Sequence, residues 1–135
     1  MGIGVTMKIE SFRDLIVYLK AFDLQQQILL ITKNFPKEET YSLTDQVRRL
    51  SRSIGANICE AWQKRRYAAH FVSKLTDSDA EQAKTQHWID IALACEYISP
   101  EIQNQLLTKC REIGKMLGSM IAHPEKFCKS LGNSK

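Results

Sequence analysis

Residues 44–66 read Thr44-Asp45-Gln46-Val47-Arg48-Arg49-Leu50-Ser51-Arg52-Ser53-Ile54-Gly55-Ala56-Asn57-Ile58-Cys59-Glu60-Ala61-Trp62-Gln63-Lys64-Arg65-Arg66. Leu43, Val47, Leu50, Ile54, Ile58 and Ala61 recur at spacings of four and three. At about 100° per residue these six positions fall within an arc of roughly 80°, the apolar stripe of a helix packed against others. The remaining faces are basic. From Arg48 to Arg66 six Lys/Arg face a single acid, Glu60, a local charge of +5 in a chain whose net charge is +4. The basic character is therefore clustered, and clustering rather than bulk charge is what points to an anionic partner.

Three further helices are predicted around this one. The first spans Ser11 to Lys33, with Ser11 as N-cap and Asn34-Phe35-Pro36 as its stop, because the residue before proline disfavours helical backbone. The second spans Ser42 or Leu43 to Lys64 and the third Tyr67 to Tyr97. Ser99-Pro100-Glu101 opens the fourth with an N-cap, a proline in the first turn and an acid near the helix N-terminus, and His123-Pro124 closes it after Ala122. Its stripe is Ile102, Leu106, Cys110, Ile113, Leu117 and Met120. No strand-like alternation or internal repeat interrupts the pattern. The fold class is all-α, an antiparallel up-down-up-down four-helix bundle over residues 11–122. Residues 1–10 read as a flexible extension, with Met7 as an alternative start, and residues 123–135 as a loose tail in which Phe127 and Leu131 are suited to dock.

Two helices depart from a simple stripe. In the first, Leu15-Ile16-Val17-Tyr18-Leu19 is apolar all round and Ala21 and Phe22 follow. Two readings fit: a wide core face with some exposed hydrophobes, or a second side buried against another subunit, with Leu15, Val17, Tyr18 and Phe22 at the interface. The third helix reads Phe71, Leu75, Ser78, Gln82, Thr85/Gln86, Ile89, Leu93, apolar at its ends and polar in the middle. That centre is a hydrogen-bonded layer fixing register, a face toward an oligomer axis, or a face toward solvent.

With 135 residues, 44% hydrophobic and 25% charged, the chain is one globular domain long enough for a real core. Cys59, Cys95, Cys110 and Cys128 form no C-x-x-C pair and have no tight spacing to histidine, so structural zinc is not expected and the thiols read as reduced, in a cytoplasmic protein. No apolar run reaches the length of about 20 residues that crosses a bilayer. No cofactor is implied.

The candidate site lies on the second helix. Arg48 and Arg52 are one turn apart opposite the apolar stripe, Gly55 and Cys59 continue their line, and Arg49 and Ala56 lie beside it. Small residues beside arginine forks admit a phosphate backbone. Lys64, Arg65 and Arg66 extend the basic surface to the next junction. The two readings are salt-sensitive contact with RNA or DNA, and a solvated face balanced by neighbouring acids. Asn57, at the stripe's edge, is expected as a structural amide bonded to a facing helix. Glu60 is a surface acid or a partner for Arg49 or Arg52. Tests for catalysis largely fail: no histidine has Glu three residues before it, and no phosphate loop or nucleophile elbow is present. Only Arg65 and His70 remain: their Arg-x4-His spacing resembles the motif with which the helical higher-eukaryote-and-prokaryote nucleotide-binding ribonucleases cleave RNA, His as acid or base and Arg stabilising the phosphorane.

Taken together, Phe12-x-Asp14-Leu15-x-Val17-Tyr18-x-Lys20-Ala21, Phe35-Pro36-x-Glu38, Tyr41-Ser42-Leu43-Thr44-x-Gln46-x-Arg48-Arg49 and Ser53-Ile54-x-Ala56-Asn57-Ile58-x-Glu60 resemble the 23S rRNA intervening-sequence proteins. Phe71-x-x-x-Leu75, Ser78-x-x-Glu81 and Ile113-Gly114-Lys115-Met116-Leu117 fit as well. The chain departs from the family where Ala61 replaces the usual glycine and in its more polar third helix. The resemblance implies a four-helix bundle assembling into a homopentamer, and kinship with basic accessory proteins of diversity-generating retroelements, which bind nucleic acid and a reverse transcriptase. The expected function is thus a non-enzymatic, nucleic-acid-binding oligomer. The alternatives are a protein-binding adaptor, for instance for a reverse transcriptase, and the Arg65/His70 ribonuclease.

Overall fold

The computed structural model describes residues 8–128, which hold four α-helices and, among the described residues, no strand. The helices are α1 (Ile16–Thr32), α2 (Asp45–Gln63), α3 (Ala68–Ala94) and α4 (Pro100–Ala122). Each packs on its neighbours in sequence, and α1 also packs on α4, closing a bundle around one core. Leu24, Ile28, Leu43, Ile54, Ile58, Phe71, Leu75, Ile113 and Leu117 are fully buried in it. Each such side chain contributes about 1.5–3 kcal/mol by leaving water.

The helix starts follow local chemistry. Ser11 is a cap, but of a 3-10 turn at Phe12–Asp14 rather than of α1: its Oγ accepts from Arg13 N, and Asp14 Oδ2 accepts from Ser11 N. α1 itself begins at Ile16, later than the sequence suggests, because Leu15 takes extended backbone to drop into the core. Ser99 caps α4 as expected, accepting from Ile102 N at 3.1 Å. Ile9 packs partly buried against the core, and Glu10 N donates to Asp14 Oδ2 at 2.9 Å, while the Lys8 and Glu10 side chains are exposed. At the other end a 3-10 turn at Pro124–Lys126 brings Phe127 onto Phe71, ring centroids 5.9 Å apart. Phe127 therefore docks; Leu131 and residues 1–7 lie outside the described residues.

α1 resolves into two faces. Val17, Ala21, Leu24, Ile28 and Thr32 are buried in the chain's own core, within an arc of about 80°. Ile16, Leu19, Phe22 and Leu30 are exposed on the opposite side, within about 120°. Leu15 and Val17, expected at an interface between subunits, are thus interior residues, and Tyr18 is half-buried against Phe12 and Phe22. Two ion pairs, Lys20 with Glu112 at 3.2 Å and Lys109 with Asp23 at 3.0 Å, tie α1 to α4 beside this side. The Lys109 hydrogen bond holds the Asp23 carboxyl below its ordinary range.

The polar centre of α3 is interior. Ser78 Oγ donates to the Ile54 carbonyl of α2 at 2.8 Å, and Thr85 Oγ1 to Glu81 O at 2.8 Å. Gln82 Nε2 donates to Asp79 Oδ1 at 2.9 Å, while its Oε1 accepts from Gln86 Nε2 at 2.7 Å. Gly114 of α4 makes the room: a Cβ there would lie 2.8 Å from Gln82 Nε2. Of the three alternatives, the hydrogen-bonded layer is the one formed, and partnered amides and hydroxyls avoid the penalty of burial.

α3 ends three residues before the expected Tyr97. Glu96 has φ 64°, Glu96 N donates to Leu93 O and Tyr97 N to Ala92 O, a Schellman closure with glutamate where glycine is usual. Tyr97 then reaches Glu39, its hydroxyl donating to Oε2 at 2.8 Å. This bond pushes the Tyr97 phenol up to about 12 and lowers the Glu39 carboxyl, which Ser42 also serves. The contact's contribution is thus present above the ordinary glutamate range and fades as pH falls through the lowered value. Left-handed backbone is costly for any residue with a Cβ. Glu96→Gly should raise the unfolding free energy by about 0.5–1 kcal/mol, the relief offset in part by glycine's entropy. The measurement is the urea midpoint at unchanged slope; an unmoved or lower midpoint contradicts it.

Candidate functional site

α2 is held by Val47, Ser51, Ile54, Gly55, Ile58, Ala61 and Trp62, all buried, with Leu43 before them. The buried sector is wider than the stripe read from sequence and turned to one side, leaving Leu50 half-buried at its edge. Gly55, expected on the outward line with the arginines, is instead inside, facing the Tyr18 ring. This rotation assigns the arginines different work. Arg48 lies at the rim of the core, half-buried, and its Nε donates to Thr32 Oγ1 at 2.7 Å. Thr32 in turn donates to the Ile28 carbonyl at 2.7 Å. Arg48 is therefore a clip from α2 to the last turn of α1, with the rest of its guanidinium facing the surface. Arg49 and Arg52 are exposed.

These three arginines line an open groove of about 780 Å³ with Tyr41, Asp45, Gln46, Ser53 and Ala56. Ser53 and Ala56 keep its floor low. Asp45 is the one acid among the lining residues, and among the described residues Arg48, Arg49 and Arg52 form no ion pair. The groove thus presents three guanidinium forks, none of them paired with a carboxylate, on a rigid helix, an arrangement that suits an extended anion.

The second basic group is separate. Arg52 and Arg65 are thirteen positions apart, about 20 Å along a helix. Arg65 folds back on the end of α2, its guanidinium 3.9 Å from the Trp62 ring centroid and Nη1 donating to the Trp62 carbonyl at 2.7 Å. Lys64 pairs with Glu60 at 2.9 Å, and Arg66 lies 5.9 Å from the Tyr67 ring. The Lys64 hydrogen bond, with Lys74 of α3 at 3.6 Å, holds the Glu60 carboxyl below its ordinary range. Glu60 thus serves lysines, not Arg49 or Arg52. Asn57 is half-buried and its Nδ2 donates to Ser53 O within α2, not to a facing helix. Arg65 and His70, the ribonuclease pair, each lie on an aromatic ring instead: Arg65 on Trp62, His70 edge-on to Tyr67 at 5.3 Å.

Tyr41 is the groove residue that charge reasoning missed. Its signal in the sequence is weak, an aromatic seven positions before Arg48 in a segment without stripe periodicity. Among the described residues no three His, Cys, Asp or Glu side chains gather to hold a metal, and no helix is long and apolar enough to cross a membrane. The cysteines are unpaired, and burial pushes the Cys110 thiol up to about 12.

A family model described as 23S rRNA-intervening sequence protein matches residues 13–119. Among solved structures, the chain is similar to a protein of unknown function from the S23 ribosomal protein family of Bacteroides thetaiotaomicron. The TM-score is 0.73 at 30% identity, over 79% of this chain and 96% of that one. No curated protein matches.

The division of labour among the arginines is measurable in folding. Arg48→Ala and Arg65→Ala should each cost about 1 kcal/mol, through the lost bond to Thr32 and the lost ring and carbonyl contacts of Trp62. Arg49→Ala and Arg52→Ala should stay within about 0.5 kcal/mol of the parent. Chemical denaturation of the four variants checks this, and equal effects across the set would contradict it.

Proposed function

This chain belongs to the 23S rRNA-intervening sequence protein family, and we propose that it is a non-enzymatic, homo-oligomeric protein that binds RNA or DNA through the Arg48, Arg49 and Arg52 groove of α2. The observation that carries this reading is the groove itself: three arginines without carboxylate partners along one wall, small residues on its floor and a rigid helix beneath. Phosphate is the anion that such forks fit, and affinity gained by neutralising phosphates is lost as salt rises. Lys64, Arg65 and Arg66 are secondary: two of them already serve Glu60 and Trp62, so they widen the positive field rather than supply its forks. A non-enzymatic role fits the commitment of Arg65 and His70 to aromatic rings.

The oligomer in this reading is built by the outward side of α1. Ile16, Leu19 and Phe22 are exposed apolar side chains on a helix whose opposite side already fills the core, and Leu30 adds a fourth about two turns further on, beyond Asp23 and Gln26. Exposed apolar side chains grouped in this way mark a surface that associates. The short connections after α2 and α3 and the α1–α4 contact support an antiparallel up-down-up-down course, and the family resemblance makes a ring of five copies the favoured assembly. A ring multiplies the groove and its charge beyond the modest excess of one chain, in the cytoplasmic setting where nucleic acid is at hand.

Two outcomes are expected. Structured RNA and DNA are retained by the parent protein, and retention falls about 20- to 40-fold for three phosphate contacts when salt rises from about 50 to 200 mM. Arg48→Ala/Arg49→Ala/Arg52→Ala loses most retention and most of that salt dependence. Absent or salt-insensitive retention would sink the reading in favour of a protein adaptor. Separately, light scattering is expected to give a multiple of the 15.5 kDa chain mass, lowered toward one chain by Leu19→Glu/Phe22→Glu. A parent mass near one chain refutes assembly.

A further inference from the structure

Tyr41 brings an unusual stretch of backbone to the arginine groove. Residues Thr40–Thr44 make a turn of π-helix before α2, a rare winding often found at functional sites. The turn buries Leu43 and Thr44 and leaves the Tyr41 side chain 81% exposed, the most exposed large hydrophobic residue described. Tyr41 lines the groove alongside Arg48, Arg49 and Arg52.

The backbone around Tyr41 is tied down although its ring is not. Glu39 accepts from Tyr97 at one carboxylate oxygen and from Ser42 at the other, both at 2.8 Å. Thr40 Oγ1 donates to Lys37 O at 2.7 Å, and Gln46 Nε2 reaches the Tyr41 carbonyl at 3.4 Å. Tyr97, which anchors Glu39, is itself packed on Phe35. An aromatic face is thus presented to water by a segment already ordered, so a ligand that stacks on it need not order the backbone first.

We propose that the groove accepts an unpaired, single-stranded stretch of nucleic acid, with Tyr41 stacking one base while Arg49, Arg52 and the outward part of Arg48 hold the adjoining phosphates. This rests on the nucleic-acid reading above and narrows it. A duplex hides its base faces within its own stack and offers this ring nothing, whereas an unpaired base offers a full face. An acidic peptide matches the arginines but leaves the ring idle. The combination of basic groove and exposed aromatic is the arrangement that single-strand binders use, and it tolerates any base because every base has a π-face.

The test uses fluorescence anisotropy with the full chain, a short labelled oligouridine, the same strand annealed to oligoadenosine, and a labelled oligoglutamate peptide of equal charge. The single strand should bind more tightly than the duplex or the peptide. Tyr41→Ala should weaken the single strand about 5- to 100-fold and leave the duplex unchanged. Tyr41→Phe keeps the ring and should bind as the parent does. Arg49→Ala/Arg52→Ala should weaken both nucleic acids and flatten the salt dependence. Tyr41 is exposed, so its variants fold. Duplex binding equal to single-strand binding, or Tyr41→Ala indistinguishable from the parent, overturns this inference and leaves the broader reading standing. Peptide binding as tight as the oligouridine overturns it too, and if neither nucleic acid binds, both readings fall.

Discussion

The rotation of α2 about its own axis is the constraint on which the rest of the molecule depends. Leu43, Val47, Ile54, Ile58 and Ala61 must leave water, and Ser51, Gly55 and Trp62 go in with them. Turning the helix by one residue position, about 100°, would carry Arg48 and Arg52 into the core. Burying an unpaired guanidinium costs several kcal/mol, so the alternative orientation is heavily disfavoured. Arg49 and Arg52 are outside because of what is inside, and the groove is a by-product of core formation as much as a surface feature. Arg48, at the boundary, takes a role in each domain of solvent: its Nε binds Thr32 at the top of α1 while its remaining donors face the groove.

A second constraint acts along the axis of α3. Apolar helices alone slide past one another at little cost, since one buried leucine resembles the next. Ser78 has a single partner across the interface, the Ile54 carbonyl, and Gln82 needs the space at Gly114. A one-turn shift of about 5.4 Å would strand both. The polar layer thus contributes definition more than stability, and it does so at the level where Ser51, also buried, turns its hydroxyl back on its own helix.

Much of this was legible in the sequence. The four helices, the Ser99 cap and the stripe of α4 follow from periodicity and capping chemistry, which are local. The arginine face was legible as a pattern, because charge on one side of a helix needs no knowledge of its neighbours. The distinctions within it were not. Arg48 and Arg52 look alike at four-residue spacing, and only the approach of Thr32, sixteen residues away, separates them. Asn57 bonds Ser53 rather than a facing helix, and Glu60, a surface acid, pairs with Lys64 rather than with Arg49 or Arg52, for the same reason: Ser53 and Lys64 lie one turn away and compete successfully with more distant groups. The end of α3 escaped because glutamate at Glu96 carries none of the signal that glycine would. The two-sided apolar character of α1 was visible, but the allotment of Leu15 and Val17 to the core needed the positions of α2 and α4.

The π turn at Thr40–Thr44 has a geometric consequence of its own. A π turn holds one more residue than an α turn between the same hydrogen-bonding levels, so it works as a phase shifter in the winding of the chain. The angle between the Tyr41 ring and the arginine row is therefore set by how many residues the turn contains, not by any contact the ring makes. Removing one residue would restore α winding and swing the ring around the helix by about 100° while Leu43 and α2 kept their seats. The aromatic and cationic halves of the groove are in this sense adjustable independently of the core: chain length in one short turn tunes their relative aim, and side-chain identity tunes their strength.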